Sequence, residues 1–557
     1  MRKYIISLTL CLLTLGLATA QTKTDKEHNF KVAKNIETFS SIYKYLDMMY
    51  VDTLNADEVV GNSINYMLRS LDPYTVYYPA ENVKDLNLMI TGKYAGIGAI
   101  IRYDLALKRV TIEEPYENMP AAEVGLKKGD VLLSIDNIDI RNKDTKFVSE
   151  HLRGDAGTSF ILKILRPTNN KIIKLKITRK MIQMPAVPYY GLQENGIGYL
   201  SLKQFTTECS KEVRRAFIDM KNKGMKKFVL DLRNNGGGSL QEAINIVNMF
   251  VPKGITLVKN LGKLKSANRE YKTTVEPIDT VMPIVVLVNE ETASSSEITS
   301  GCLQDLDRAV ILGTRTYGKG LVQTTIDLPY NGNLKLTTAK YYIPSGRCIQ
   351  AINYKHNKGG YMEHVPDSLT REFHTKKGRI VRDGGGIKPD IEIKPDSLPN
   401  IAFYLASTGQ DSTETMHNWE MKYIKNHPYI SNAKTFNITD ADYNDFKESV
   451  IKSGFKYDRE SKKYLEQLEK LTKFEGYYED AKPEFEALKK KLKHNIAKDL
   501  DFNSNILRQI LSANLVRVYY YQRGGIENSL QWDKQWKKAK DILNNIKEYN
   551  NILKIAN

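Results

Sequence analysis

Cysteine is scarce, with four residues in 557. Cys11 lies in an apolar N-terminal run, which leaves Cys209, Cys302 and Cys348. An odd count in an oxidising compartment allows at most one internal disulfide and leaves a thiol over. No spacing resembles a zinc site and no HExxH segment occurs, so neither a metal nor a cofactor is expected. Beyond the N-terminus no apolar run is long enough to cross a membrane. A further absence decides the reading of "GTRTYGKG" (313–320), which has the glycine spacing of a phosphate-binding P-loop. Such a loop needs Ser or Thr directly after its lysine to hold magnesium, and here Gly320 follows Lys319. It must also open a helix, yet Pro329, the Asn331-Gly332 turn and the alternating LKLTTAKYYI pattern predict strands.

The net charge of +17 raises the question of nucleic acid. Arg2 and Lys3 precede the apolar run Tyr4 to Ala18, and Ala18-Thr19-Ala20 is a small-x-small cleavage site. This is the pattern of a secretory signal, residues 1–20, cut after Ala20. Leu10 stands before Cys11 where a lipoprotein signal needs a small residue, which argues against lipidation. An exported, periplasmic protein rarely meets nucleic acid. The lysines of 461–500 are also interleaved with acids, as on a solvated helical surface, and form no basic stripe.

A chain of this length holds several domains. Residues 28–90 read as helical, with Ile42, Tyr45, Leu46 and Met49 on one apolar face, and "LDPYT" (71–75) closes that region with a turn. Residues 91–182 are short strands around a brief helix. Residues 190–396 alternate strands and helices as an α/β unit, with a polar insertion at 353–383. From 400 to 557 the chain is Lys/Glu-rich and helical, and it holds all three tryptophans, which read as core packing of that helical domain.

Three strand-to-loop junctions of the α/β unit carry chemistry. In "FVLDLRNNGGGSL" a buried strand runs into three glycines and a helix whose Ser239 and Glu242 have capping-box spacing. Free N–H groups at such a turn bind an anion, either a phosphate or a transient oxyanion. In "PIVVLVNEETASSSEI" a second buried strand runs into a helix near Ser294. A serine there can expose its hydroxyl at the sheet's C-terminal edge, although one of Thr292, Ser294, Ser295 and Ser296 must also cap the helix. The third junction holds Lys319. A serine nucleophile needs a base, and no histidine lies in any junction. Lysine serves only when neutral, so its free pKa of about 10.4 must fall to about 7–8 by burial. None of Tyr317, Gly318, Gly320, Leu321 and Val322 is acidic, and the Gln323 carbonyl could hold one lysine proton and aim the lone pair at serine.

Together "ETASSSEI", "GTRTYGKGLVQ" and "DLRNNGGG" resemble the C-terminal processing peptidases, or tail-specific proteases, over about residues 31–396. The segments "GIGA" (96–99) and "AAEVGLKKGDVLLSID" resemble the family's PDZ domain. "IGYLSLKQF", "YYIPSGRCIQ" and "GGIKPD" resemble other stretches of its core. The resemblance implies a multidomain α/β (α+β) chain: a ClpP/crotonase-like peptidase core, a PDZ domain and helical N- and C-terminal regions. It matches the nucleophile to Ser294, the base to Lys319, the lysine-orienting glutamine to Gln323, and the oxyanion donors to the backbone of Gly237 and Ser295. Gly236 stands where the family often has proline, which backbone donors tolerate. An acid sometimes named in the family matches Asp305. That residue lies about 16 Å along the same helix from Ser294, which points to a structural role.

The chain thus reads as an exported serine endopeptidase with a Ser–Lys dyad. Its substrates would be proteins with free C-terminal tails, caught at Gly96, Ile97, Gly98 and Ala99, where clustered amides hold a carboxylate and the adjoining strand accepts the tail by β-augmentation. A non-catalytic PDZ scaffold and a histidine base are the alternatives. An adaptor or a homo-oligomer is left open.

Overall fold

The strand Ile284–Val288 has five apolar residues in succession and is buried along its whole length, as a strand covered on both faces must be. It lies within a six-stranded sheet ordered Tyr189–Gln193, Ile197–Ser201, Lys227–Asp231, Ile284–Val288, Val310–Gly313, Ile391–Glu392. All neighbours are parallel except the first pair. This is a computed structural model, and it describes residues 2–351, 366–407, 409–493 and 495–555, with side chains from residue 26 onward.

Alternate residues of each strand face opposite layers. Leu230, Val286 and Ile311 pack beneath helices Cys209–Asn222, Leu240–Asn248 and Ser295–Asp305. Val229, Val285 and Leu312 face the other way and meet Trp536, Ile542, Leu543 and Tyr549. Those four belong to Lys534–Asn544 and Ile546–Ile552, so the segment 400–557 has two destinations. Ile401 to Val516 build a helical core of their own, whereas the last two helices form the back layer of the α/β sheet. Trp536 packs edge-on to Tyr199 of that sheet, 5.3 Å between ring centroids.

Residues 99–178 form a separate sheet ordered Ala99–Asp104, Arg109–Pro115, Val131–Ile135, Ser159–Arg166, Lys171–Thr178, with its own core around Ile112, Leu132, Leu162 and Ile164. Ala99–Asp104 is an edge strand. The pair Lys93–Gly96 and Lys180–Gln183 closes the module at its two chain crossings.

The N-terminal helix, Arg2–Met49, forms as its periodicity predicts, but Ile42, Tyr45, Leu46 and Met49 are exposed. No element among the described residues covers that face. The segment read as an export signal lies where only the backbone helix is described. Of the polar insertion, 353–365 lies outside the described residues. Its remainder forms a hairpin, Glu372–His374 with Ile380–Arg382, anchored by Arg379 on Asp307 and Asp390.

The β module docks on the helical core through buried charge. Arg102 donates to Glu414 at 2.6 Å, and Lys128 lies 2.8 Å from Glu113 and 3.0 Å from Glu420. Burial alone would lower the Lys128 pKa, but Glu420 and Glu113 raise it on balance. His417 lies among these groups with its Nδ1 unpartnered, and burial, then Arg102 and Lys128, push its pKa down to about 3. The unfolded value is near 6.5. Between the two values the unfolded chain binds the extra proton, so this group's contribution is whole above about pH 6.5 and is lost as pH falls toward 3, by at most about 1.4 kcal/mol per pH unit. His417→Gln should therefore lose less Tm than the parent between pH 7 and pH 5. Equal losses in the two melts would assign the acid sensitivity elsewhere.

Candidate active site

The parallel sheet brings the three junctions to one edge. After Lys227–Asp231 the chain turns through Asn234, which has φ +57°, into Gly236–Gly238. Asn235 fastens this turn. Its amide donates to the Leu202 carbonyl at 2.8 Å, its Oδ1 accepts from Gly237 N–H at 2.9 Å, and its carbonyl accepts from Ala293 N–H at 3.0 Å. Gly237 is obligatory here: a Cβ on it would sit 2.7 Å from the Ala293 carbonyl and 2.8 Å from Ser294 Cβ. Ser239 caps the helix Leu240–Asn248 by accepting from Glu242 N–H. The reciprocal half of the predicted capping box is not made, because the Glu242 carboxylate accepts from Ser210 N–H at 2.8 Å and the Ser239 N–H donates to Phe205.

Ser294 occupies the strand-to-helix turn with φ +56° and ψ −117°, a conformation that costs energy for any residue with a side chain. Of the four hydroxyls at this turn, three are spent on backbone carbonyls: Thr292 on Leu232, Ser295 on Gly238 and Ser296 on Asn235. Ser294 instead lines a cleft of about 640 Å³ with Gly236–Gly238, Lys319, Gln323, Lys335 and Tyr341. Leu86, Met89 and Ile90, from the helix Val83–Thr91, face the same cleft.

Lys319 follows Val310–Gly313 into this cleft. Burial, then the charge of Lys335, lowers its pKa to about 8, while Glu297 and Asp72 act in the opposite direction. These acids are far off in the sequence, and the fold supplies them. The Lys319 ammonium lies 4.4 Å from the ring centroid of Tyr74 and makes no hydrogen bond with Ser294 in this arrangement. Tyr74 belongs to the "LDPYT" turn, which Asp72 ties by accepting from Tyr74 N–H and Thr75 N–H, each at 2.8 Å. The Gln323 amide donates to Thr337 at 3.3 Å and does not hold Lys319. The Gly237 N–H, expected as an oxyanion donor, is occupied by Asn235. Ser295 N–H, in the first helical turn, has no intrahelical acceptor.

Sequence reasoning missed Glu297. It is fully buried and accepts four hydrogen bonds: from Ser294 N–H at 2.8 Å, Thr316 Oγ1 at 2.6 Å, Gly318 N–H at 2.7 Å and Lys319 N–H at 2.9 Å. One carboxylate thus joins the serine turn to the lysine loop. Burial raises its pKa to about 7 against those donors. The available signal was Ser294-x-x-Glu297, the spacing of a capping box. Tyr341 ties the same two segments, its hydroxyl donating to the carbonyls of Lys319 at 2.6 Å and Ser294 at 3.3 Å. Asp305 faces away from the cleft: it pairs with buried Arg347 at 2.7 Å and accepts from Ser345 N–H at 3.0 Å.

In the β module, Ile97 is buried and its carbonyl accepts from Ala121 N–H, while Gly98, at φ +72°, accepts from Tyr116 N–H. A Cβ on Gly98 would sit 2.6 Å from Met119 Cβ. Gly96 ends one strand and Ala99 begins the edge strand, so the four residues form the corner between two sheets.

Glu297→Gln tests the carboxylate hub. An amide offers one oxygen and one N–H₂, so half of the four donors lose their acceptor, at about 1–3 kcal/mol each. Urea unfolding should show a loss of about 2 kcal/mol or more, with hydrolysis down at least tenfold. Unchanged stability would mean that the carboxylate does not hold the two segments together.

Three family models match the chain: peptidase family S41 at residues 196–358, a PDZ domain at 111–166, and the C-terminal helical domain of a probable PDZ-protease at 404–543. The carboxy-terminal-processing protease of Bartonella bacilliformis is 37% identical over 333 residues, 59% of this chain and 75% of that one. A probable CtpA-like serine protease of Staphylococcus aureus is 29% identical over 447 residues, 79% of this chain and 76% of its own. Among solved structures, the photosystem II D1 C-terminal processing protease is 26% identical, covering 65% of this chain and 93% of that one at a TM-score of 0.35. With 37% identity across three quarters of the Bartonella protein, and with the S41 match falling on the segment that holds Ser294 and Lys319, the chain belongs to peptidase family S41 and is a serine-type peptidase with a PDZ domain.

Proposed function

We propose that this peptidase captures the free C-terminal tail of a protein in its PDZ domain and cuts the same polypeptide with Ser294 as nucleophile and Lys319 as base, outside the cytoplasm. The observation that carries the reading is the state of the hydroxyls. Thr292, Ser295 and Ser296 are bound to carbonyls, and Ser294 shares a cleft with a lysine whose pKa is near 8. Among the described residues lining that cleft there is no histidine, which favours lysine over a histidine base.

In the reaction the neutral Lys319 amine takes the proton of Ser294, whose oxygen attacks the peptide carbonyl. Negative charge builds on the carbonyl oxygen and is met by Ser295 N–H and Gly237 N–H. The lysine then gives its proton to the leaving amine, and water, deprotonated by the same lysine, releases the acyl group. Two local adjustments precede this. Lys319 leaves the Tyr74 ring for Ser294, and Gly237 exchanges Asn235 Oδ1 for the oxyanion. Each exchanges one polar contact for another, a net change of about 1 kcal/mol. Gln323 lines the same cleft, and its carbonyl oxygen would orient Lys319 after that swing. The apolar N-terminal run with its small-residue cleavage site supports export. Among the described residues, no helix is long and apolar enough to cross a membrane.

Ser294→Ala and Lys319→Ala should each abolish cleavage of an unfolded protein while the fold survives, and the double variant should be little worse, since members of one catalytic unit are not additive. The base works only when deprotonated. Activity should therefore rise with pH through about 8, where Lys319 loses its proton, with a further drop below about 7 as Glu297 gains one. Near-normal turnover by a folded Lys319→Ala enzyme, or a flat profile between pH 6 and pH 9, would remove lysine from the mechanism.

Tail capture has its own test. Amidating a substrate's C-terminus should raise KM or slow cleavage without moving the cut sites. Gly98→Val, which forces Cβ against Met119, should do the same to free tails and spare small peptides that reach Ser294 directly. Equal cleavage of acid and amide tails across several substrates would show that the PDZ corner does not read the carboxylate.

A further inference from the structure

The charge on the walls of the active cleft is one-sided. Among the described residues its lining includes Lys203, Lys319 and Lys335 and no aspartate or glutamate. Lys319 must be neutral to act as a base, so two lysines remain to carry charge. Lys203 has some compensation, since its field reaches the buried Asp231. Lys335 has none: it is half-buried, and no carboxylate among the described residues forms an ion pair with it. Burial is the cause of its lowered pKa. A cation held partly out of water without a counter-ion is costly, and the cost is relieved when an anion arrives.

The strand places Lys335 relative to the chemistry. A register shift interrupts the alternation of Asn333–Tyr342 between Thr337 and Ala339, yet Lys335 before it and Tyr341 after it both line the cleft. Tyr341 reaches the carbonyl of Ser294, Thr337 meets Gln323, and Lys335 lies beyond them, opposite Thr325 and Val76. Lys335 is also near enough to Lys319 for its charge to lower the Lys319 pKa, so a substrate group that pairs with Lys335 belongs to a residue close to the cut.

Resting on the reading of the cleft as the place of cleavage, we propose that Lys335 is a specificity-determining residue that pairs with a carboxylate of the bound substrate close to the scissile bond. The enzyme thereby prefers polypeptides that carry an acidic group near the cut and disfavours those that carry lysine or arginine there. The carboxylate is either an Asp or Glu side chain or the terminal carboxylate of a short tail, and the same cation serves both.

The test reads binding, so that it does not depend on turnover. Full-length Ser294→Ala protein is titrated against fluorescein-labelled Ala/Val peptides that are identical except for one Glu, Gln or Lys moved along the chain, each as free acid and as C-terminal amide. One Glu position should bind about tenfold tighter than Gln, as a charge-assisted pair in a partly dry site does, and Lys should bind more weakly still. Adding Lys335→Gln should erase the gain, Lys335→Arg should keep it, and Lys335→Glu should turn the preference toward Lys peptides. If the gain instead follows free acid over amide in peptides without Glu, and still depends on Lys335, the partner is the terminal carboxylate. Equal affinities across the set, including no binding by any peptide, overturn the inference, and so does a Glu gain that survives Lys335→Gln. Turnover of the same peptides by the Ser294 enzyme is scored separately: Lys335-dependent binding without hydrolysis would sink the Ser–Lys reading and leave the carboxylate site standing.

Discussion

One buried carboxylate holds the active site together. Glu297 accepts from the backbone of Ser294 on its own helix and from Thr316, Gly318 and Lys319 on the loop that follows the next strand. The same segments also meet through backbone contacts, the Tyr341 hydroxyl and the Thr314 hydroxyl, which donates to Glu290. Four donors converging on one group favour its ionised form, and full burial favours the neutral one. The balance near 7 makes the geometry of the serine turn sensitive to the same pH range in which the lysine changes charge. Strain at Ser294 is sustained in this setting, because the surrounding hydrogen bonds over-determine a backbone conformation that would otherwise relax.

The Gly96–Ala99 corner and the cleft are close along the chain. The helix Val83–Thr91 contributes Leu86, Met89 and Ile90 to the cleft, and Gln204 and Thr207 hold its last carbonyls. Gly92, at φ +68°, then turns into the strand that ends at the Gly96–Ala99 corner. Roof and corner are therefore parts of one continuous segment. The far side of the PDZ domain is held by Arg102, Lys128 and their partners on the helical core. Breaking one of these buried pairs leaves an uncompensated charge, at about 3–5 kcal/mol, so the domain is fixed on one side and joined to the cleft on the other.

Much of the candidate site was legible because the elements that meet there are local motifs. The strand-to-helix turns at 232–240 and 288–295, and the lysine between glycines, are each specified by a few adjacent residues. What failed was partnership across the fold. The Glu242 carboxylate, spaced for a capping box, is drawn instead to Ser210 N–H. The apolar stripe at Ile42, Tyr45, Leu46 and Met49 predicts a buried face, yet it lies in the open: periodicity sets where apolar groups point and says nothing of whether another element meets them. The helices after Lys534 carry the same Lys-rich composition as the region before them, but they cover the α/β sheet.

The sequence by itself determined the kinds of chemistry available. It supplied a serine at a sharp turn, a lysine with no acidic neighbour in the chain, a glycine-rich turn before a helix, and a glycine corner between two strands. Those properties reside in residue type and in spacings of a few residues, where covalent geometry limits the outcome. Only the tertiary structure decided which hydroxyls were spent on carbonyls of other segments, that Glu297 and Asp72 would act on Lys319 against Lys335, and that Asp305 would serve Arg347 and stand apart from the cleft. The reason is physical: burial and pairing of charge depend on groups from about sixteen to more than two hundred residues apart in the chain, and the free energy of each ionisable group is set by what the fold brings within a few ångströms of it.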